Sequence, residues 1–222
     1  MKPFAHEDMP LVLLGAGGHA KVLRSLIDVS GRKLLGVCDP NLVHAGTSLW
    51  RGVKVLGGDE VLDGLDISSV GLVNGVGQLV GKDLRQRIYD KARALGFVFP
   101  PLIHPSAWVD ESVELSDGVQ IMAGAIVQPD VRIGANSTIN TRASLDHDCT
   151  IASQVHIAPG VVLCGGVTVA HGSYVGSGAT VTPGVVVGEH AVIGAGTVVV
   201  RDVPPRSVIK GPSVYPRPLR EG

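Results

Sequence analysis

The chain has 222 residues, enough for one long hydrophobic core or two short ones, and 45% of them are hydrophobic, which excludes a disordered chain. Its 19 basic and 20 acidic side chains leave a net charge of −1, so no global field draws it to nucleic acid or an anionic membrane, and small-molecule chemistry is expected. The opening MKPFAHEDMP places His6, Glu7 and Asp8 where a signal peptide needs a basic start and an apolar stretch; no later run reaches 18 uninterrupted apolar residues, so a cytoplasmic protein without membrane insertion is expected.

In chain order, Leu11–Leu14 reads as a strand, His19–Val29 as a helix and Lys33–Cys38 as a second strand. Ile67–Val73 is expected as a third strand, Lys82–Leu95 as a helix ended by Gly96, and Phe97–Phe99 as a last short strand. This alternation predicts a small parallel α/β sheet, a Rossmann-like half domain, over residues 1–100. The stretch Gly15-Ala16-Gly17-Gly18-His19-Ala20, with Asp39 nineteen residues further on, fits the degenerate dinucleotide fingerprint G-x-G-x-x-A. Gly15, Gly17 and Gly18 let the backbone approach a phosphate at the start of a helix. A hundred residues supply only one mononucleotide-binding half, however, and the remaining chain is committed to a different fold.

Stepping by six from Ile103 to Val199 meets seventeen positions, every one of them Leu, Ile or Val. Four residues after each, from Ala107 to Thr197, lie sixteen positions that are all small or β-branched. A helix needs apolar spacing of about 3.6 and a strand of about 2, so a strict period of six fits neither and predicts a β-solenoid. Three six-residue sides make one coil of 18 residues, with aliphatic side chains stacked inward about 4.8 Å apart. Gly134, Gly176, Gly188 and Gly194 recur just after the large aliphatic residue, where the turns are expected to need permissive backbone. The solenoid, with its tail, occupies residues 101–222.

This pattern resembles the hexapeptide-repeat acyltransferases built on a left-handed parallel β-helix. That resemblance implies a homotrimer, with acetyl-CoA lying in the groove between neighbouring prisms. An α/β half carrying GAGGHAK, CDP and NGVG…LR, joined to the helix through IHPSAWV, further resembles the sugar acetyltransferases of surface-polysaccharide pathways. These include the N-acetyltransferases of UDP-4-amino sugars in bacillosamine synthesis, their GDP-perosamine counterpart and the sialic acid O-acetyltransferases. The activity implied is acetyl-CoA-dependent N-acetylation of the 4-amino group of a nucleotide-linked sugar, without a metal. O-acetylation of a sugar hydroxyl and a non-catalytic nucleotide-sugar-binding trimer are the alternatives.

The resemblance assigns His147 as general base. A carboxylate neighbour would hold its tautomer and raise its basicity; Asp148 is the chosen partner, with Asp146 also open. His147 and Gly165 are 18 residues apart and therefore stack, so glycine would leave room for the thioester and its N–H would face the developing oxyanion. His156 matches a histidine near the acetyl group, or is a polar edge residue. Asn140 matches an asparagine that positions the amino sugar, or is a left-handed turn residue. His19 matches a phosphate-facing position, Asp39 a nucleoside-facing one and Gly77 a glycine lining the same pocket.

Cys38, Cys149 and Cys164 form no C-x-x-C pair, and Cys149 falls in the small inward register, so it reads as core rather than nucleophile. His147, His156 and His171 do not share a stacking line, so no metal site is expected. Arg201, Arg206, Lys210, Arg217 and Arg220 outnumber Asp202 and Glu221, an excess that either attracts CoA phosphates or forms a solvated tail. KGPS, Lys210 to Ser213, replaces the family's G-x-P-A element, so adenine contacts do not carry over.

Overall fold

The computed structural model describes residues 8–211. The sequence features at His6, Glu7, Pro212, Ser213, Arg217, Arg220 and Glu221 lie outside the described residues.

The N-terminal part is a five-stranded sheet. Strand β1 (Leu11–Leu14) is completely buried and continues through the glycine loop into helix α1 (Gly18–Val29). Strand β2 (Leu34–Cys38) and helix α2 (Pro40–His44) follow, then a hairpin of β3 (Leu49–Trp50) and β4 (Val53–Gly57). A 3₁₀ turn (Asp59–Gly64), strand β5 (Gly71–Asn74) and helix α3 (Leu84–Ala94) complete it. The sheet order is β3-β4-β2-β1-β5, parallel except for the β3 edge.

The third strand starts at Gly71 rather than Ile67, because residues 67–69 close a polar turn in which Asp66 accepts hydrogen bonds from Ser68 and Ser69. Phe97–Phe99 is no strand: Phe97 and Phe99 are buried, and a hydrogen bond from Leu72 N to Val98 O is its link to β5. The β3–β4 hairpin is absent from the sequence reading. It turns on Arg51 and Gly52, both at positive φ (48° and 79°), the backbone of a two-residue hairpin that matches strand twist.

From Leu102 the chain winds into a three-faced prism of two-residue strands. Face one runs from Leu102–Ile103 to Val208–Ile209, face two from Trp108–Val109 to Val198–Val199 and face three from Glu114–Leu115 to Val186–Val187. Strands pair in parallel at 18-residue register, as Ile139 with Ile157 and Leu145 with Leu163. The aliphatic and small positions form one continuous core from Val119 to Val203. The repeat outlasts Val199: Val187 bridges Val203 and Val192 pairs with Val208, so the last coil omits two residues.

The corner glycines also act differently from the expectation. From Leu115 to Ile193, positive φ falls three residues after each large aliphatic residue, at Gly118, Gly124, Asp130, Asn136, Arg142, Asp148, Gln154 and onward. Gly134 and Gly176, one residue after the aliphatic, are instead demanded by close approach. A Cβ at Gly134 would lie 2.5 Å from Ser153 N, and one at Gly176 2.6 Å from Ala195 N, in the next coil.

The two parts share a core. Leu102 and Met122 from face one pack with Leu11, Leu13, Leu23 and Ile27, which docks the α/β sheet on the upper coils of that face.

Candidate active site

The glycine loop is shaped by its own backbone. Gly15 sits at φ +89°, and its N–H donates to Cys38 O at 2.8 Å. Gly17 caps α1 without any side-chain hydrogen bond, and the space where Cβ atoms of Gly17 and Gly18 would project is open for 4 Å. The unsatisfied N–H groups at this helix start suit a phosphate oxygen. Asp39 stands beside the loop. Its Oδ2 accepts from Ala16 N at 2.7 Å and its Oδ1 from Asn41 N at 2.8 Å and Leu42 N at 3.4 Å. It clamps the glycine loop and caps α2.

His19 leaves the loop towards face one and meets a buried polar network that the sequence reading missed. Its Nε2 lies 2.7 Å from Gln120 Oε1, and a Cβ at Gly77 would be 3.4 Å from the His19 Cβ, so His19 and Gly77 are neighbours. Gln120, 2% exposed, donates from Nε2 to Asn74 O at 2.9 Å. Arg85, 4% exposed, has no carboxylate partner among the described residues. Its two terminal nitrogens donate to Asn74 O (3.0 Å), Val76 O (2.7 Å), Gln120 Oε1 (3.2 Å) and Asn136 O (3.3 Å). Asn136 in turn donates to Gln154 Oε1 at 2.6 Å, and Gln78 to Gln154 O at 2.9 Å.

This seam sets the charge state of two histidines. Burial, then the Arg85 charge, pushes His19 down to about 4 against the pull of its Gln120 hydrogen bond. His156, 7% exposed, is pushed down to about 3 by burial, then by Arg85 and His19. Its ring stacks on Tyr174, with centroids 4.9 Å apart and planes 7° from parallel, and its Nδ1 is buried without a partner among the described residues. Both imidazoles are neutral at neutral pH.

His147 sits at the corner between faces two and three. Asp148 takes the left-handed backbone there (φ +61°), which turns its side chain back onto its neighbour: His147 Nδ1 and Asp148 Oδ2 are 2.7 Å apart. Asp146 is used otherwise, its Oδ1 accepting from the His147 backbone N–H at 2.8 Å. The Asp148 hydrogen bond, then the Asp146 and Asp148 charges, raise the His147 pKa above the ordinary imidazole value. With Nδ1 engaged, Nε2 is left as the proton-accepting atom of an exposed ring. The ring lies against the α-carbon of Gly165, where a Cβ would fall 2.7 Å from Cε1 and 2.8 Å from Nε2. Glycine at 165 thus makes room for the base itself rather than only for a substrate.

These features together are a glycine loop opening a helix and a carboxylate-supported imidazole on a hexapeptide solenoid. Residues 10–92 match the family model described as the PglD N-terminal domain. Over 91% of this chain and 93% of the other, the structure is similar to a variant of perosamine N-acetyltransferase from Caulobacter crescentus in complex with CoA and GDP-perosamine, with 37% identity and a TM-score of 0.83. It is likewise similar to the acetyltransferase domain of PglB from Neisseria gonorrhoeae in complex with acetyl coenzyme A, with 32% identity over 92% and 97% of the two chains and a TM-score of 0.85. The chain belongs to the hexapeptide-repeat sugar acetyltransferases. WeeI from Acinetobacter baumannii, 21% identical over 91% and 97% of the chains with a TM-score of 0.77, shares the fold.

This acetyltransferase is an acyl-transferring enzyme on a left-handed parallel β-helix. Within one chain the prism keeps its candidate residues apart. Face one carries His156 and, through Gln120, holds His19; the corner bearing His147 and Gly165 is the vertex opposite that face. Asn140 lies at a third place, the corner between faces one and two, where its Oδ1 accepts from Thr141 N at 2.8 Å. The left-handed residue of that corner is Arg142, not Asn140. Cys149 is buried in the core, donates to Cys164 O at 3.2 Å and has its thiol pushed up to about 11 by burial. His171 pairs with Ser153 Oγ at 2.9 Å and packs edge-on against His190. Among the described residues no three His, Cys, Asp or Glu side chains gather around a common point, and no helix is long and apolar enough to cross a membrane.

Proposed function

We propose that this acetyltransferase transfers the acetyl group of acetyl-CoA to the 4-amino group of a UDP- or GDP-linked sugar in the cytoplasm, working as a homotrimer with its active sites between subunits. The observation that carries this reading is the exposed His147–Asp148 pair lying on Gly165. The sugar nitrogen attacks the thioester carbonyl while His147 Nε2 accepts its proton and Asp148 supports the imidazolium. The Gly165 N–H, which has no acceptor among the described residues, stabilises the tetrahedral oxyanion. The carbon–sulfur bond then breaks, CoA leaves as thiol with the proton from His147, and no acyl-enzyme forms.

The glycine loop, Gly15 to Gly18, and the start of α1 take the diphosphate, with Gly77 and His19 on the adjoining wall and Asp39 fixing the loop. His156 flanks the acetyl group and Asn140 the amino sugar. The homologous structures bound to CoA with GDP-perosamine, and to acetyl coenzyme A, support this choice of ligands. The trimer is supported by the separation of His147 from face one: a neighbouring copy that brings its corner to this face joins both halves of the site.

Purified enzyme offered acetyl-CoA with UDP-, GDP- and dTDP-linked amino sugars and free sialic acids tests the proposal by release of CoA thiol. Turnover with an amino sugar and its loss in His147→Ala are expected. Turnover with sialic acid alone would make the enzyme an O-acetyltransferase, and binding without thiol release would make it a nucleotide-sugar-binding scaffold.

A further inference from the structure

The buried seam does more than join the α/β sheet to the solenoid, because the direction of each hydrogen bond in it is fixed. Arg85 carries only donors. Its contact with Gln120 therefore requires the Gln120 carbonyl oxygen to face it, and Asn74 O, an acceptor only, requires the Gln120 amide nitrogen on the other side. Rotating the amide by half a turn would set donor against donor and acceptor against acceptor. The Gln120 oxygen thus faces His19 as well, and at 2.7 Å His19 Nε2 has to donate. A neutral imidazole holds one N–H, so its Nδ1 carries a lone pair. That atom has no protein partner among the described residues and is not among the buried orphan atoms.

We infer that Arg85 and Gln120 are positioning residues which lock His19 as the Nε2-protonated neutral tautomer, so that Nδ1 accepts a hydrogen bond from a hydroxyl of the bound sugar nucleotide. The inference rests on the proposed function for its ligand and deepens it. The amides at the start of α1 suit the anionic oxygens of a diphosphate, whereas the donors flanking a diphosphate are the hydroxyls of ribose and hexose. His19 complements the second kind of group. Two charged or titratable groups face His19, Arg85 from α3 and His156 from face one; the fixed Arg85 cation and the burial of the ring both oppose its protonation.

Long-range proton–nitrogen NMR of ¹⁵N-histidine enzyme, assigned with His19→Gln, reads the tautomer directly. At pH 7 the His19 ring is expected to show a pyrrole-like Nε2 and a pyridine-like Nδ1. A pyrrole-like Nδ1 or an imidazolium overturns the inference. Gln120→Leu should abolish the single-tautomer signature and weaken binding of GDP- or UDP-amino sugar about tenfold, the loss of one ligand hydrogen bond, with kcat changed far less. Gln120→Glu keeps an acceptor for His19 and Arg85 but loses the donor to Asn74 O; it should restore the Nε2 proton, turn His19 into an imidazolium at pH 7 and, with Nδ1 then a donor, leave sugar-nucleotide binding weakened. Equal loss of kcat and binding in both variants would reduce Gln120 to a structural role and refute positioning. His147→Ala should leave the His19 spectrum unchanged, so failure of the acetyl-transfer reading and failure of the tautomer lock are separately visible.

Discussion

The imidazole of His147 lies across the α-carbon of Gly165, one coil on, with no room for a methyl group between them. The base is therefore positioned from below by a missing side chain and from the side by Asp148. In Gly165→Ala the ring has to tilt away, and because misplacing a catalytic group by about 1 Å costs about 100-fold in rate, kcat should fall by that order. Thermal stability and sugar-nucleotide KM should stay near wild type; steady-state kinetics with a melting curve checks both.

Asp148 sets the pH limb of the reaction. Its hydrogen bond raises the His147 pKa, so the base is lost as pH falls through that raised value. In Asp148→Asn the imidazole becomes easier to deprotonate and the acid limb of kcat should move to lower pH, while plateau kcat drops about tenfold or more as the base weakens. Asparagine tolerates the left-handed backbone at φ +61°, so the fold is kept. A limb that stays put in the pH–rate profile would assign the support to Asp146 instead.

The seam makes the protein sensitive to acid. His19 and His156 fall from an ordinary value near 6.5 to about 4 and about 3 in the folded chain. Their neutral forms are thus favoured by folding, and the stability they add is complete above pH 6.5 and drains away as pH drops towards 3. The unfolding temperature should decline by several degrees between pH 6.5 and pH 4. His156→Phe, which keeps a ring against Tyr174, should flatten part of that decline in a calorimetric pH series.

A fold prediction concerns Gly134. An added methyl would meet Ser153 N and the Ala152 carbonyl carbon at 2.5 and 2.6 Å, backbone atoms that cannot yield without opening the prism. Gly134→Ala should cost about 1–3 kcal/mol in urea denaturation, whereas Gly160→Ala, strained only by its positive φ and facing open space, should cost less.

The solenoid was legible in the sequence because each of its constraints repeats: a column such as Leu145–Leu163–Val181 is one physical demand, to fill the same slot, made coil after coil. His147 and Gly165 were legible for the same reason, since 18-residue spacing places them in contact. The Arg85–Gln120–His19 network was not. Its members are 35 and 101 residues apart, each an ordinary polar residue by itself, and only the docking of two folds turns them into partners. The short β3–β4 hairpin escaped because two apolar residues give no periodicity; the Arg51-Gly52 turn was its readable local signal, as the Asp39-Pro40 cap was that of α2.

Strict 18-residue pairing also makes each corner a graduated scale. Along the column that runs on from His147 stand Gly165 and Pro183, at roughly 5 and 10 Å. Separation between the base and any C-terminal cation is therefore quantised in whole coils. Adding or removing 18 residues between Val169 and Val187 would lengthen or shorten that reach by one division while leaving both ends internally unchanged, so a donor of different arm length is a one-coil edit away.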